Sequence, residues 1–355
     1  MRSARLLFVG LIFIVSACST AATANTNAAS LEAATKLPVV ALPGYEVSVF
    51  TQNDSRLLVS SPDAVAVDGQ HVFIDYQNVT AKDCSDQGSS GSPASTVVEY
   101  NMKGDILNHW RIAGHSDGMR VDPATHLVWT TSCEDGSPMF ATIDPTSGTV
   151  TPYKFPNPPH GGGYDDLYFL GGSVYVAASN PTLDGSGANP NPAIDKIAMG
   201  SHGTLTLTPV LMGNANATDL LSPSSAPAAL TLTDPDSLSI DNKGQLVLVS
   251  QADSLLVFVK NPGTAQQSVS KMAVGTQLED TVWPTGPGRL LVVDGASGVT
   301  YWISGTFANG DIYTQSPNDS GVDNFVATIN PATGFVTPIA IGFGKATGMV
   351  FVAAT

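Results

Sequence analysis

Positive charge is scarce in this chain. Its 355 residues hold 15 Lys and Arg against 30 Asp and Glu, for a formal charge of −15. No Lys/Arg cluster interrupts the acidic background, and a surface of that sign repels a phosphate backbone, so nucleic-acid binding is excluded as a function class. Charged residues of both signs make up only 13% and aromatics only 7%. Cysteine is limited to three residues, Cys18, Cys84 and Cys133, too few for a disulfide-built scaffold. After residue 15 there is no apolar run long enough to cross a bilayer as a helix. The Gly-x-Ser-x-Gly nucleophile elbow and the His-Glu-x-x-His zinc motif are both missing.

Turn formers are abundant instead: 34 Gly and 24 Pro, with Ser, Thr, Asn and Asp between short apolar runs. Many short strands joined by turns produce this composition, and helices do not. The class expected is therefore all-β.

The first residues, MRSARLLFVGLIFIVSAC, carry the most specific local signal. Arg2 and Arg5 precede an apolar stretch from Leu6 to Val15, the arrangement of a secretory leader. Val15-Ser16-Ala17-Cys18 resembles a bacterial lipobox, which implies a leader over 1–17 and acylation of Cys18. An ordinary leader cleaved near Ala21 to Ala24 is the alternative. Loss of Arg2 and Arg5 takes the charge from −15 to −17. Residues 18–36 are small and polar, a flexible tether to a domain over 37–355. The expected location is the cell envelope, on the periplasmic side of the outer membrane or the cell surface, with the membrane contacted through lipid.

One unit recurs along the domain: a small residue or Pro, an Asp, an alternating strand, a turn and a second strand. It begins at Asp63, Asp117, Asp165, Asp236 and Asp280, and a sixth copy has Thr347 in place of Asp. Successive copies are 44 to 71 residues apart, a blade-like period. Between them, Ala141-Thr142-Ile143-Asp144-Pro145 and Ala327-Thr328-Ile329-Asn330-Pro331 open two near-identical hairpins. These features predict a six-bladed β-propeller. The last unit stops after one strand, so strands from the domain's N-terminus are expected to complete the last blade and close the ring. A degenerate seventh blade would have to lie within 180–234 or 298–324.

Pro62-Asp63-Ala64-Val65-Ala66-Val67-Asp68 with His71-Val72-Phe73-Ile74-Asp75, and Pro235 to Ser250, resemble the cores of NHL-repeat and SMP-30/gluconolactonase-like propellers. The gluconolactonase-like resemblance implies a divalent ion held by a Glu, two Asn and an Asp. Ser61-Pro62-Asp63 stands where that Glu would be, and no matching Asn opens the later strands.

In a propeller the loops after the second strand of each blade share one face. Cys84 and Cys133 follow the second strands of neighbouring units, which predicts a disulfide between them, with two free thiols as the alternative. The same face would gather Asp63, Asp117, Asp165, Asp236 and Asp280 around the axis. Such a ring is either a set of hydrogen-bond acceptors for neighbouring backbone or a ligand set for Ca²⁺ or another divalent cation. His115 and His160, beside the ring, are the candidate acid/base residues. Two functions follow. One is a monomeric, non-enzymatic propeller that binds an envelope protein, a glycan or a small ligand through the long loops at 77–95, 180–190, 214–234 and 305–323. The other is a metal-assisted hydrolase, lactonase-like, or lyase at the channel mouth.

Overall fold

The computed structural model describes residues 39–88, 93–200, 203–317 and 324–354. The leader, Cys18 and the tether lie outside the described residues. Among the described residues no helix is long and apolar enough to cross a membrane.

Six sheets surround one axis, each with one of the predicted units innermost and antiparallel throughout but for one outer pairing in the fourth. Blade 1 consists of Pro62–Asp68, His71–Tyr76, Ala94–Asn101 and Ile106–Ala113, from the axis outward. Blade 2 runs through Ser116–Val121, Val128–Ser132, Met139–Asp144 and Thr149–Lys154. Blade 3 follows with Leu167–Leu170, Ser173–Ala177, Pro192–Met199 and Leu205–Met212. In blade 4, Pro235–Ile240, Leu246–Ser250, Leu255–Lys260 and Ser268–Ala273 are extended outward by Asn216–Asp219 and Ala228–Ala229. The described residues of 180–234 thus complete blade 3 and extend blade 4, and form no seventh blade.

The last two blades exchange strands. The fifth unit's inner strand, Thr281–Val282, does not pair with the strand that follows it. Gly288–Asp294 and Val299–Gly305 belong to blade 6, while Tyr313–Ser316, Phe325–Ile329 and Val336–Ile341 return to complete blade 5. Blade 6 is then finished by the C-terminal strand Ala346–Ala353 at the axis and by Tyr45–Gln52 at its outer edge. The N-terminal strand closes the last blade as expected, but it supplies one strand there, and Val40–Ala41 pairs on the edge of blade 5. The two near-identical hairpins are the third and fourth strands of blades 2 and 5.

Hydrophobic packing lies between blades, which is why inner and middle strands are apolar on both faces. Leu246–Ser250 is buried at every residue. Six clusters fill the six interfaces, for example Phe73, Val97 and Trp110 of blade 1 against Met119, Val128 and Ile143 of blade 2. The closing interface joins Phe50, Leu291 and Trp302 of blade 6 to Val65, Ile74 and Tyr100 of blade 1. With every interface filled, the ring leaves no open sheet edge at the axis.

Candidate functional site

Inner strands begin at one face and run down the channel. In blades 1, 2 and 4 the pairing with the second strand slips at the start, between Pro62 and Val65, Ser116 and Met119, and Pro235 and Leu238. Such bulges turn side chains that regular alternation would send to opposite faces. Asp117 and Arg120, three positions apart, therefore both line the channel.

The predicted aspartates do converge. Asp63, Asp117, Asp165 and Asp280 line one narrow cavity with Asp166, Glu279, Arg120 and Thr347. That cavity is about 20 Å³, room for about one water or a bare ion. Asp236 is buried beside it, where its charge acts on Asp165 and Glu279.

One of the two duties foreseen for the ring, accepting hydrogen bonds from neighbouring backbone, falls to Asp280 and to Asp166 beside the ring. Asp280 accepts a hydrogen bond from the Met349 backbone of blade 6 at 2.7 Å, and Asp166 accepts one from Leu238 of blade 4 at 3.0 Å. These two carboxylates tie blade 5 to blade 6 and blade 3 to blade 4. Arg120 lies between them, with Nη2 2.5 Å from Asp166 and 3.5 Å from Asp280, and plugs the channel. Asp117 accepts from the Gln77 side-chain amide at 3.1 Å through Oδ1, while its buried Oδ2 has no hydrogen-bond partner.

The loops of the same face complete the site. Cys84 and Cys133 form the predicted disulfide, with Cα atoms 5.4 Å apart, and it binds the loop of blade 1 to the loop of blade 2. Gly114 passes against both sulfurs, where a Cβ would come within 2.7 and 2.9 Å. The bridge sets Lys82 beside Glu134, Nζ to Oε1 at 2.5 Å. Of the glycines in His160-Gly161-Gly162-Gly163, Gly163 serves this packing, while Gly162 lies against the Ser179 and Asn180 carbonyls. A Cβ on Gly163 would meet the Cys133 carbonyl at 2.0 Å, and the Gly163 amide donates to the Glu134 carbonyl at 2.8 Å.

One ring nitrogen of His115 and one carboxylate oxygen each from Asp117 and Glu134 lie within 4.8 Å of one another. The tautomer of His115 follows from its neighbours. Thr80 Oγ1 donates to the Gln77 carbonyl at 2.6 Å, so toward His115 it is an acceptor, as is the Thr80 carbonyl; both are 2.9 Å from Nδ1. Nδ1 must carry the proton, and the buried, unpartnered Nε2 presents a lone pair. Burial also pushes the His115 pKa down, which keeps the ring neutral.

Burial, first of all, and then neighbouring carboxylates raise the acids. Asp63 and Asp117 are pushed from 3.8 to about 7, and Glu134 from 4.5 to about 7. Asp165, Asp236 and Glu279 are raised well above the usual range for the same reasons. Burial disfavours the Lys82 ammonium, but Glu134, Asp117 and Asp165 outweigh that and raise its pKa.

His160 is not part of this assembly. It is fully buried, its Nε2 lies 2.6 Å from the Gly163 carbonyl, and its ring meets Tyr164 edge-on. Sequence reasoning missed Glu134 as a partner of His115 and missed Lys82 and Arg120 altogether. The disulfide was the available signal for the first two, since it brings residues 82 and 134 to one place.

No protein-family model and no curated protein matches the chain. Among solved structures it is similar to a putative gluconolactonase, 12% identical with TM-score 0.48, covering 88% of this chain and 87% of that one. It is similar as well to the periplasmic gluconolactonase of Pseudomonas aeruginosa, 11% identical with TM-score 0.46, over 83% of this chain and 89% of that one. Virginiamycin B lyase from Staphylococcus aureus is 11% identical with TM-score 0.44, over 87% and 100%. The likeness concerns the fold.

Proposed function

We propose that the chain is an exported propeller, tethered to the envelope by lipid on Cys18, that binds a divalent metal ion at the channel mouth and recognises its ligand there without turning it over. The observation that carries this reading is His115, its tautomer set by Thr80 and its Nε2 buried and bare, in a cluster where one of its ring nitrogens lies within 4.8 Å of carboxylate oxygens of Asp117 and Glu134. A carbonyl behind a ligating imidazole is the usual support of a metal-binding histidine. The mixed nitrogen and carboxylate donors suit a first-row ion such as Zn²⁺ or Mn²⁺ better than Ca²⁺, which prefers oxygen alone. This donor set differs from the Glu, two Asn and Asp that the gluconolactonase-like resemblance implies. The cavity of about 20 Å³ is too small for an organic substrate beneath the ion, which favours binding over turnover.

The test is metal stoichiometry after chelation and reloading, by elemental analysis and calorimetry. One Zn²⁺ or Mn²⁺ per chain, lost in His115→Ala and in Glu134→Gln while the fold is kept, is expected. No stoichiometric uptake, or uptake indifferent to both substitutions, overturns the reading. A second reading, metal-assisted hydrolysis or elimination, is favoured by one feature: Asp63, raised to about 7 by burial, shares the channel-mouth cavity with Asp117 and would serve as acid/base. Turnover of lactones or esters by the loaded protein, abolished in Asp63→Asn, would establish it in place of the first.

A further inference from the structure

A second cavity on the channel axis lies away from the acidic mouth. It lies at the other end of the channel, where the C-terminal halves of the inner strands spread apart, and it measures about 450 Å³. Its origin is the strand exchange. The inner strand of blade 5 ends after two residues, at Val282, and the chain leaves the axis through Trp283 and Pro284 for blade 6. A blade with so short an inner strand leaves that quadrant of the channel open.

The walls are apolar: Val67, Tyr168, Ile240, Trp283, Val350 and Phe351, all part-exposed, face the space. The floor is Arg120, whose other side faces the acidic cavity. A guanidinium offers five N–H donors. Nη1 donates to the Met119 carbonyl at 2.9 Å, and Nη2 donates to Asp166 at 2.5 Å and to the Leu238 carbonyl at 3.1 Å. Nε and the second hydrogen of Nη1 have no acceptor among the described residues, and only the Tyr168 ring, 6.0 Å away, covers the guanidinium. The hydroxyls of Ser239 and Thr281 bond each other at 2.9 Å on the wall. A concave apolar site of a few hundred Å³ with one charged donor group at its base has the character of a small-molecule pocket. An anion there would meet Arg120 with its unused donors, and an apolar body would cover the aromatic rim.

We propose that this funnel binds a small amphipathic organic anion, a carboxylate or sulfonate on an aromatic or aliphatic body, with the anionic group on Arg120 and the body against Trp283, Tyr168 and Phe351. The site is separate from the metal centre and stands or falls independently of it.

Two dyes sharing one ring system test it: 8-anilinonaphthalene-1-sulfonate, which is anionic, and N-phenyl-1-naphthylamine, which is uncharged. The full chain is titrated with each, following dye fluorescence and quenching of tryptophan. One equivalent of the sulfonate is expected to bind at least tenfold more tightly than the neutral dye. Ala353, exposed on the rim, is replaced in Ala353→Trp to close the mouth; both dyes should weaken at least tenfold, with the thermal melting profile unchanged. The paired variant Arg120→Met with Asp166→Asn should erase the preference between the dyes. If that pair does not fold, the rim variant decides alone. Equal binding of the two dyes, sulfonate binding that survives Ala353→Trp, or no binding of either overturns the proposal.

Discussion

Arg120 of blade 2 places Nη2 2.5 Å from Oδ2 of Asp166 in blade 3, and the same carboxylate oxygen accepts the Leu238 amide of blade 4 at 3.0 Å. Three blades meet at one atom on the axis. Both side chains are largely buried, 18% and 5% exposed. Removing the cation alone leaves Asp166 and Asp280 without their compensating charge. Arg120→Met is therefore expected to destabilise the fold by about 3–5 kcal/mol. Adding Asp166→Asn should recover a large part of the loss, because an amide needs no counter-charge. Denaturant unfolding of the single and double variants checks this. Equal stability of Arg120→Met and the native chain would show that the channel floor is solvated.

The Cys84–Cys133 bridge closes a separation of 49 residues. In the loop-entropy account, a ring of that length contributes about 4 kcal/mol. Mutation of both cysteines to serine should lower stability by up to that amount and leave the propeller assembled, since the bridge joins surface loops and no blade interface depends on it. Metal affinity should fall as well, because the bridge holds the Glu134 loop near His115. Gly114→Ala should act in the same direction, as its Cβ would press on both sulfurs. Calorimetric metal titration of the two variants, beside their melting curves, separates the two effects. Unchanged affinity in the serine variant would mean that Glu134 is positioned by the Gly163 contact alone.

What was legible in the sequence was whatever repeats. Five inner strands announced themselves by an Asp followed by alternation and the sixth by Thr347 in its place, and all six units lie at the axis. The topology of the last two blades was not legible, for a physical reason. Gly288–Asp294 is buried almost throughout, so its pattern suits a middle strand in any blade. Its neighbour is chosen by the C-terminal strand Ala346–Ala353, which needs a partner and lies far away in sequence. The segment Trp283-Pro284-Thr285-Gly286-Pro287 reads as a turn between paired strands but leads from one blade to the next. Arg120 was hidden by the bulge before Met119, since strict alternation would set it opposite Asp117. Glu134 and Lys82 lie in loops, where no periodicity marks a residue's direction.

The acids of the channel set a pH dependence. Asp63, Asp117 and Asp166 rise from 3.8 to about 7 on folding, and Glu134 from 4.5 to about 7, with burial the main cause in each. Between the ordinary and the raised values the folded chain holds more protons than the unfolded chain. Stability must then fall as pH rises through that interval, roughly from pH 4 to pH 7. Metal-free protein is expected to melt at a higher temperature near pH 5 than near pH 8. Saturating Zn²⁺ or Mn²⁺ should flatten the trend, because the ion replaces protons among the carboxylates. Thermal unfolding across this range, with chelator and with metal, reads both effects. Greater stability of the chelated chain at about pH 8 would contradict the burial of these groups.

Lys82 makes the sharpest test of how the acidic mouth is neutralised. Its ammonium lies 2.5 Å from Glu134, yet its side chain is 53% exposed, so it enters from the surface and can leave without disturbing the core. Glu134 cannot serve the ammonium and a divalent ion equally well, since the two cations repel at such range and compete for one oxygen. Lys82→Met should therefore strengthen metal binding, by about tenfold if the competition is worth roughly 1.4 kcal/mol. The same substitution should lower the stability of the metal-free chain, because Glu134 and Asp117 lose the nearest positive charge. A metal site predicts these opposite effects in one variant: looser without the ion, tighter with it. Were the cluster a purely structural ion pair, Lys82→Met would destabilise the chain under both conditions, and added metal would restore nothing.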